Sequence, residues 1–488
     1  MKNQRRIFTL FFLISLLAIS SSTLASPAII PVTVDPRIEL FSLIFRLAGN
    51  QEYIQCKIPS YAAEADSVFH DYRDHAVVEL ARLLRQNHGI SYNAPMELAL
   101  HVTDPPGLQE RVPFDPLPVS LDNRWTTAEA GKFLVEARKF AKESDYMGFF
   151  TTHNDWFVQA QNRLSLLLAS TDIVPWFAEY FGVRSPAEFR IELAMFNGGH
   201  SYGPSFIQPD GLIEFHSILG VWQVDAQNLP DFPEKVIHTI VHEFSHSFIN
   251  PLVDDHEKAL ESAGQALYPL VAEKMKSKAY GNWQTMFYES LVRVMTIKWI
   301  SDTAGEDKVS RHLEHQQRIG FYWISELFEV LAEYENNRDQ YQTFEQFMPV
   351  VVGFFSDYAA VAEASIATLE NEWTAEALEK GAKAPSVLSV NPPNGAVDVD
   401  TSCPAVIITF DRPMKDKSWS VMSTGQPIPE VAGMVSYNDD RTVLTIPVAL
   451  VAGVSYGFAL NSPTGGGFMD ENGNELSEYL VSFRTRDE

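Results

Sequence analysis

Residues 236–250 read VIHTIVHEFSHSFIN. The apolar residues Ile237, Ile240, Val241, Phe244 and Phe248 recur at helical spacing, and Pro233 suits a first helical position, so the stretch predicts a buried helix. Within it His242, Glu243 and His246 form the pattern HExxH. Residues four apart share a helix face one turn apart, so both imidazoles can reach one metal ion at about 2.0–2.1 Å from each nitrogen. Glu243 stands one step round the helix, where its carboxylate can take a proton from a water attacking a carbonyl. The competing reading is a buried helix with hydrogen-bonded histidines and a surface glutamate.

A catalytic zinc needs a third protein ligand and one open position. The extended pattern HExxHxxGxxH requires a glycine and a histidine where this chain has Ile249 and Leu252, so that class is excluded. The expected third ligand is Glu289, in MFYESLVRVM, on a helix predicted from about Trp283 to Ile300. Phe287, Leu291, Val292 and Met295 mark that helix as buried, and a glutamate there is costly without a partner. Arg293, one turn later, is placed to hold the ligating carboxylate. The alternative is a Glu289–Arg293 pair on a solvated face. Glu261 and then His256 are the other ligand candidates. His238 and Asn250 extend the histidine stripe by a turn each way and read as a core histidine and a C-terminal helix cap. For oxyanion stabilisation the loop NGGHSYGPSF at 197–206 offers His200 and Tyr202. Leu212–Val221 is the strand expected to pair with a substrate backbone.

The arrangement resembles the gluzincin class of zinc peptidases, in which HExxH on one helix is completed by a glutamate on a later one. The resemblance implies a zincin-like fold, Zn²⁺ held by His242, His246 and Glu289, and Glu243 as general base. It rests on two short segments, and no NExxSD-like text surrounds the glutamate. HEFSHSFINP and YESLVRV also resemble a group of uncharacterised secreted bacterial proteins.

Working outward, residues 26–384 read as mostly helical around a small sheet. Helical patterns cover Val68–Gln86 (ended by His88-Gly89), a stretch opened by the capping box Thr126/Glu129 and running to about Lys142, Asn154–Ala169, Ile173–Phe181, and nearly all of Pro233–Lys380. Phe189–Phe196 and Leu212–Val221 are the strand-like runs. Gly381 to Pro385 breaks the last helix. Short β-runs follow, at Val387–Val390, Ala405–Phe410, Met434–Tyr437, Thr442–Val448, Tyr456–Leu460 and Tyr479–Arg484, separated by turn clusters such as Pro392-Pro393-Asn394-Gly395. VLSVNPPNGAVDVDTSCPAVIITFDRPMK, closing with YLVSFRT, resembles the bacterial Ig-like domain, which implies a spacer or binding module. The expected class is α+β: a zincin-like domain over 26–384, then an all-β Ig-like sandwich over 385–488.

Lys2, Arg5 and Arg6 precede the apolar run Ile7–Ile19 and a small polar stretch, which reads as a signal peptide over 1–25 cleaved after Ala25. Export to the periplasm or the extracellular space is therefore expected, with no transmembrane anchor after cleavage. The formal charge of −26 becomes more negative once those basic groups leave, which argues against nucleic acid as a partner. Cys56 and Cys403, far apart, read as free thiols, and no CxxC pair, GxSxG elbow or phosphate loop occurs. The expected function is a secreted zinc metallopeptidase acting on a peptide or protein, with surface or protein contact through the Ig-like domain. The alternative is a non-catalytic secreted protein- or glycan-binding protein that keeps the fold.

Overall fold

A computed structural model describes residues 30–182, 187–305, 308–462 and 465–487; the expected signal peptide lies outside them. The chain divides into two compact units at Val361/Ala362. The first opens with β1 (Val32–Thr33), α1 (Pro36–Leu47), α2 (Gln51–Ile54), α3 (Pro59–Val68), α4 (Ala76–His88) and α5 (Asn93–Leu100). It continues with α6 (Thr127–Glu143), α7 (Tyr146–Thr152), α8 (Asn154–Leu168), α9 (Ile173–Phe181), β2 (Ala187–Ala194), β3 (Ser205–Ile207) and β4 (Ile213–Gly220). Then come α10 (Val236–Asp255), α11 (Glu257–Lys276), α12 (Trp283–Ala304), α13 (Val309–Arg318), α14 (Ile324–Asn336) and α15 (Phe344–Lys383). With the strand-rich second unit, the chain is α+β.

Local signals explain most boundaries. Thr126 caps α6 by accepting from the Glu129 N–H, the first half of a capping box, and its hydroxyl rather than its backbone N–H donates to the Glu129 carboxylate. Gly89 ends α4 at φ +66°, a left-handed position where a side chain would be strained. The stretch read as one helix over Val68–Gln86 is two pieces, α3 ending at Val68 and α4 beginning at Ala76, joined by a 3₁₀ turn at His70–Tyr72. Pro233 is not the first helical residue of α10. It precedes a turn in which its carbonyl accepts the Val236 N–H at 2.8 Å, and the helix begins at Val236.

The sheet of the first unit runs β1-β2-β4-β3, with β3 antiparallel to β4 and the other pairs parallel. β4 is therefore interior, and the strand expected to receive a substrate backbone is already paired on both sides. The open edge belongs to β3, extended by Tyr202, which exchanges both backbone hydrogen bonds with Ile218 at 2.8 and 2.9 Å. Hydrophobicity could not separate the two, because both runs are apolar and strand order is set by the rest of the fold.

α10 lies against this sheet. Phe244 and Phe248 meet Phe177, Phe181, Phe189 and Phe215 at ring distances of 4.5–6.2 Å. Such offset and edge-on pairs add to the apolar area removed from water and pin the helix that carries the HExxH residues. α12 packs along the other side of α10. α15 does not stop near Gly381 but runs through it to Lys383, since a helical glycine costs only about 1 kcal/mol relative to alanine. By length and composition α15 could also cross a membrane, where the sequence reading expected no further span. Its Phe344, Phe347, Met348, Val351, Phe355 and Tyr358 are buried in the first unit.

The second unit holds two sheets, one ordered β10 (Ser436–Tyr437), β11 (Val443–Ala449), β7 (Ala405–Phe410), β5 (Val387–Asn391), with β9 (Glu430–Val431) also on β11. The other runs β6 (Ala396–Val399), β13 (Tyr479–Thr485), β12 (Ser455–Leu460), β8 (Val421–Ser423). Alternate residues Val406, Ile408, Phe410, Leu444, Ile446, Phe458, Leu460, Val481 and Phe483 form the core, the two-sheet pattern of a sandwich. The Met434–Tyr437 run forms strand only at its last two residues. Cys56 and Cys403 are free thiols.

Candidate metal centre

α10 and α12 bring His242, His246 and Glu289 together, with one ligand atom from each within 4.8 Å of the others. His242 Nε2 lies 3.8 Å from Glu289 Oε2, and His246 Nε2 lies 3.5 Å from Glu289 Oε1. These spacings are too long for hydrogen bonds. Donors about 2.05 Å from a tetrahedral ion stand about 3.4 Å apart, close to what is found. The set of two imidazoles and one carboxylate, with no fourth residue among the described ones, suits an ion that keeps an open position.

The surroundings prepare these atoms for a ligand role. His246 Nδ1 faces Asn250 Oδ1 at 3.1 Å; with the ring proton on Nδ1, Nε2 keeps its lone pair toward the site. Asn250 is thus no helix cap, since α10 continues to Asp255. His242 keeps 21% of its side chain exposed, yet burial of the remainder holds its imidazole down at about 3, in the neutral form that binds metals. Burial alone would push the Glu289 carboxyl up, but the Arg293 guanidinium and the two imidazoles outweigh it and hold it down at about 2. Glu289 is buried, so the solvated Glu289–Arg293 pair is not what forms. Arg293 Nη2 lies 3.0 Å from Glu289 Oε2. The contact is an ion pair out of line for a hydrogen bond, so this buried oxygen accepts none. The guanidinium charge offsets part of the cost of burying this carboxylate. Arg293 is itself braced by the Tyr280 hydroxyl and the Gln316 carbonyl at 2.8 and 2.9 Å.

Glu243 is buried, and its carboxyl is pushed well above the usual range, first by burial and then by the charge of Glu289. The loop before β3 presses on the same turn of helix: a Cβ on Gly203 would fall 1.8 Å from the Glu243 carbonyl oxygen. Only glycine allows this approach, which brings Tyr202 up to the site. The Tyr202 hydroxyl is buried and unpartnered, and burial and the charges of Glu52 and Glu243 keep it protonated. His200 faces Tyr92 edge-on at 5.8 Å. Tyr92 holds φ +55°, a costly conformation for a non-glycine residue. The Glu52 carboxylate and Tyr53 hydroxyl hold it there by gripping its N–H and carbonyl at 3.3 and 2.8 Å.

The other ligand candidates lie elsewhere. Glu261 is exposed and accepts from Gln265, and His256 caps the end of α10, its ring on the Leu252 carbonyl. His238 does join the site region: it lines a cavity of about 290 Å³ with Thr239, His242, Arg293, His312 and Gln316. Tyr280, His312 and Gln316 carried no signal in the sequence, because they reach the site from a loop and a polar helix with no motif.

No curated protein matches the chain. Among solved structures, a crystal structure of the S-layer protein rSbsC(31-844) is matched at 15% identity over 51% of this chain and 33% of that one, with a TM-score of 0.16. The chain thus spans about a third of that structure. Residues 381–485 match the bacterial Ig-like domain, in agreement with the sandwich of the second unit. Residues 30–354, more than half of the chain and all four residues of the HExxH–Glu289 cluster among them, match the family described as Domain of unknown function (DUF4932), and the chain belongs to that family.

Proposed function

We propose that this protein is a zinc-dependent hydrolase of the gluzincin kind, acting on a peptide or similar amide. The observation that carries the reading is the meeting of His242, His246 and Glu289 at ligand spacing around no hydrogen bond of their own. Zn²⁺ held by these residues would polarise the substrate carbonyl and acidify water.

The chain's own residues then divide the work. Glu243 takes the proton of the attacking water and returns it to the leaving amine, a role suited to a carboxyl whose proton affinity is raised. Tyr202 donates from its unpartnered hydroxyl to the oxygen on which charge develops. The edge formed by Tyr202 and β3 pairs with the substrate backbone, the part assigned to β4 before strand order was known. Asn250 and Arg293 hold His246 and Glu289 in orientation. In this reading the protein is exported, and its Ig-like unit makes surface or protein contacts. A binder that merely kept the fold has no use for a buried carboxyl of raised proton affinity beside the ligand cluster, which favours the enzyme.

The test is hydrolysis of a casein or mixed-peptide substrate by the zinc-loaded chain. Glu243→Gln should keep its zinc and lose activity by about 10²–10⁴-fold, the usual worth of a general base. Zinc retained by a wild type that cleaves no amide would leave the binding protein as the better account.

A further inference from the structure

Beside the ligand cluster an open cavity of about 290 Å³ lies between α10, α12 and α13, with Ile297 and Ile300 supplying an apolar wall. Its size suits one side chain or chain end rather than a large ligand. His238 sits one turn before His242 on the same face of α10, and α13 brings His312 to it with ring centroids 5.6 Å apart. Among the described residues neither ring makes a hydrogen bond, so both keep a free N–H. Trp299 is not part of the cavity lining; it stands against His238 at 6.1 Å, and its buried indole N–H has no partner. Arg293 Nε, in the cavity wall, is likewise a buried donor without a partner. The Gln316 carbonyl is taken by Arg293, which leaves its amide N–H groups to face inward.

The wall therefore presents two imidazoles and the Gln316 amide with no hydrogen bond donated to another described residue. Its surroundings are also positive: Lys308 acts on both His238 and His312, and Arg311 and His315 act on His312. Against them stand Glu234, near His238, and Glu289, which Arg293 already faces. A chain of net charge −26 thus places a small cavity lined by imidazole, hydroxyl and amide groups and by Arg293, with Lys308 and Arg311 near it, next to its proposed reactive centre. Imidazoles and an amide free to donate, with basic residues beside them, suit a ligand that accepts, and the simplest such group on a peptide is a carboxylate.

We propose that this cavity binds a carboxylate of the substrate, from an acidic side chain beside the scissile amide or from the chain end, through His238, His312 and Gln316. The inference builds on the hydrolase reading and assigns its substrate class: acidic peptides, or peptides cut near the C-terminus.

Calorimetric titration of the full chain, zinc-free and zinc-loaded, tests it without needing turnover. The probes are N-acetyl-glutamic acid α-amide, N-acetyl-alanine with its free terminal carboxylate, and the neutral isostere N-acetyl-glutamine amide. At least one carboxylate probe should bind roughly tenfold tighter than the isostere in both forms, which is the worth of one charge-assisted hydrogen bond. The tighter of the two identifies the source. His312→Leu should abolish that preference and leave zinc content unchanged. Equal binding of all three probes by the wild type would overturn the proposal, as would a preference that survives both His312→Leu and His238→Leu. A preference found in a chain that neither holds zinc nor cleaves peptides would sink the hydrolase reading and leave the carboxylate site standing.

Discussion

The first unit holds two buried clusters made from the same side chains, and they are built to opposite ends. In the sheet, His216 lies fully buried between Glu192 at 2.8 Å and Glu214 at 3.2 Å, one carboxylate on each ring nitrogen. Arg111 and Gln208 close the other side of Glu214 at 2.8 and 2.6 Å. Between α10 and α12, His242, His246 and Glu289 stop 3.5–3.8 Å apart, with no hydrogen bond joining them. The first cluster joins its charges by direct ion pairs, with Glu192 Oε2 alone left without a hydrogen bond, and is cross-bracing for the sheet. The second keeps its imidazoles and its carboxylate out of direct contact, and the Glu289 oxygen on that side lies 3.0 Å from Arg293. The lesson is that composition does not separate a ligand set from a salt bridge. The separation of the paired atoms does.

The largest effect that sharpens the contrast falls on the directly paired cluster. His216→Leu removes one partner from a buried charge network and should cost about 3–5 kcal/mol in unfolding free energy, while zinc stoichiometry stays at the wild-type value. The penalty should depend on pH. Burial lowers the proton affinity of His216, but Glu192 and Glu214 outweigh it and raise it above the ordinary value. Its contribution is therefore present below about pH 6.5 and fades as pH rises through the raised value. Glu214 is held below the usual carboxylate range by His216 and Arg111 against its burial. Its share is present above about pH 4.5 and is lost as pH falls. Urea melts at pH 5.5 and pH 9 should show a larger difference between variant and wild type at the lower pH. An equal loss at both would mean that His216 acts by packing alone.

Next in size is Tyr202→Phe, which removes one hydroxyl from the edge of the open cluster. It should lower kcat by about 10²–10³-fold, the worth of an oxyanion donor, with KM nearly unchanged and zinc retained. A parallel loss in KM alone would make Tyr202 a binding residue. The smallest effect is expected for Asn250→Leu, which leaves all three ligand side chains in place but frees the His246 ring to turn. Zinc affinity, read by competition with a chelator, should fall about 10–100-fold.

Much of this was legible before any fold was known. The helical period around His242 and His246, and the cost of a glutamate among Phe287, Leu291 and Val292, put three residues on two helices and paired them. Five of the Ig-like strands were read nearly to their ends, because alternation and turn residues are local signals, while the short β6, β8 and β9 were missed. What sequence could not supply depends on assembly. Strand order decided that β3, not β4, offers an edge. Asn250 looked like a cap because a helix end was expected there, yet α10 runs on through Pro251. His312 reaches His238 from α13, across a separation no periodicity spans.

The measurement that bears most directly on the central contrast is the zinc content of the purified chain, with His246→Ala, Glu289→Ala and His216→Leu alongside. The account predicts one zinc per chain in the wild type and in His216→Leu, and none in the two ligand variants. A folded wild type that takes up no zinc after metal supplementation, or ligand variants that keep it, would contradict the account.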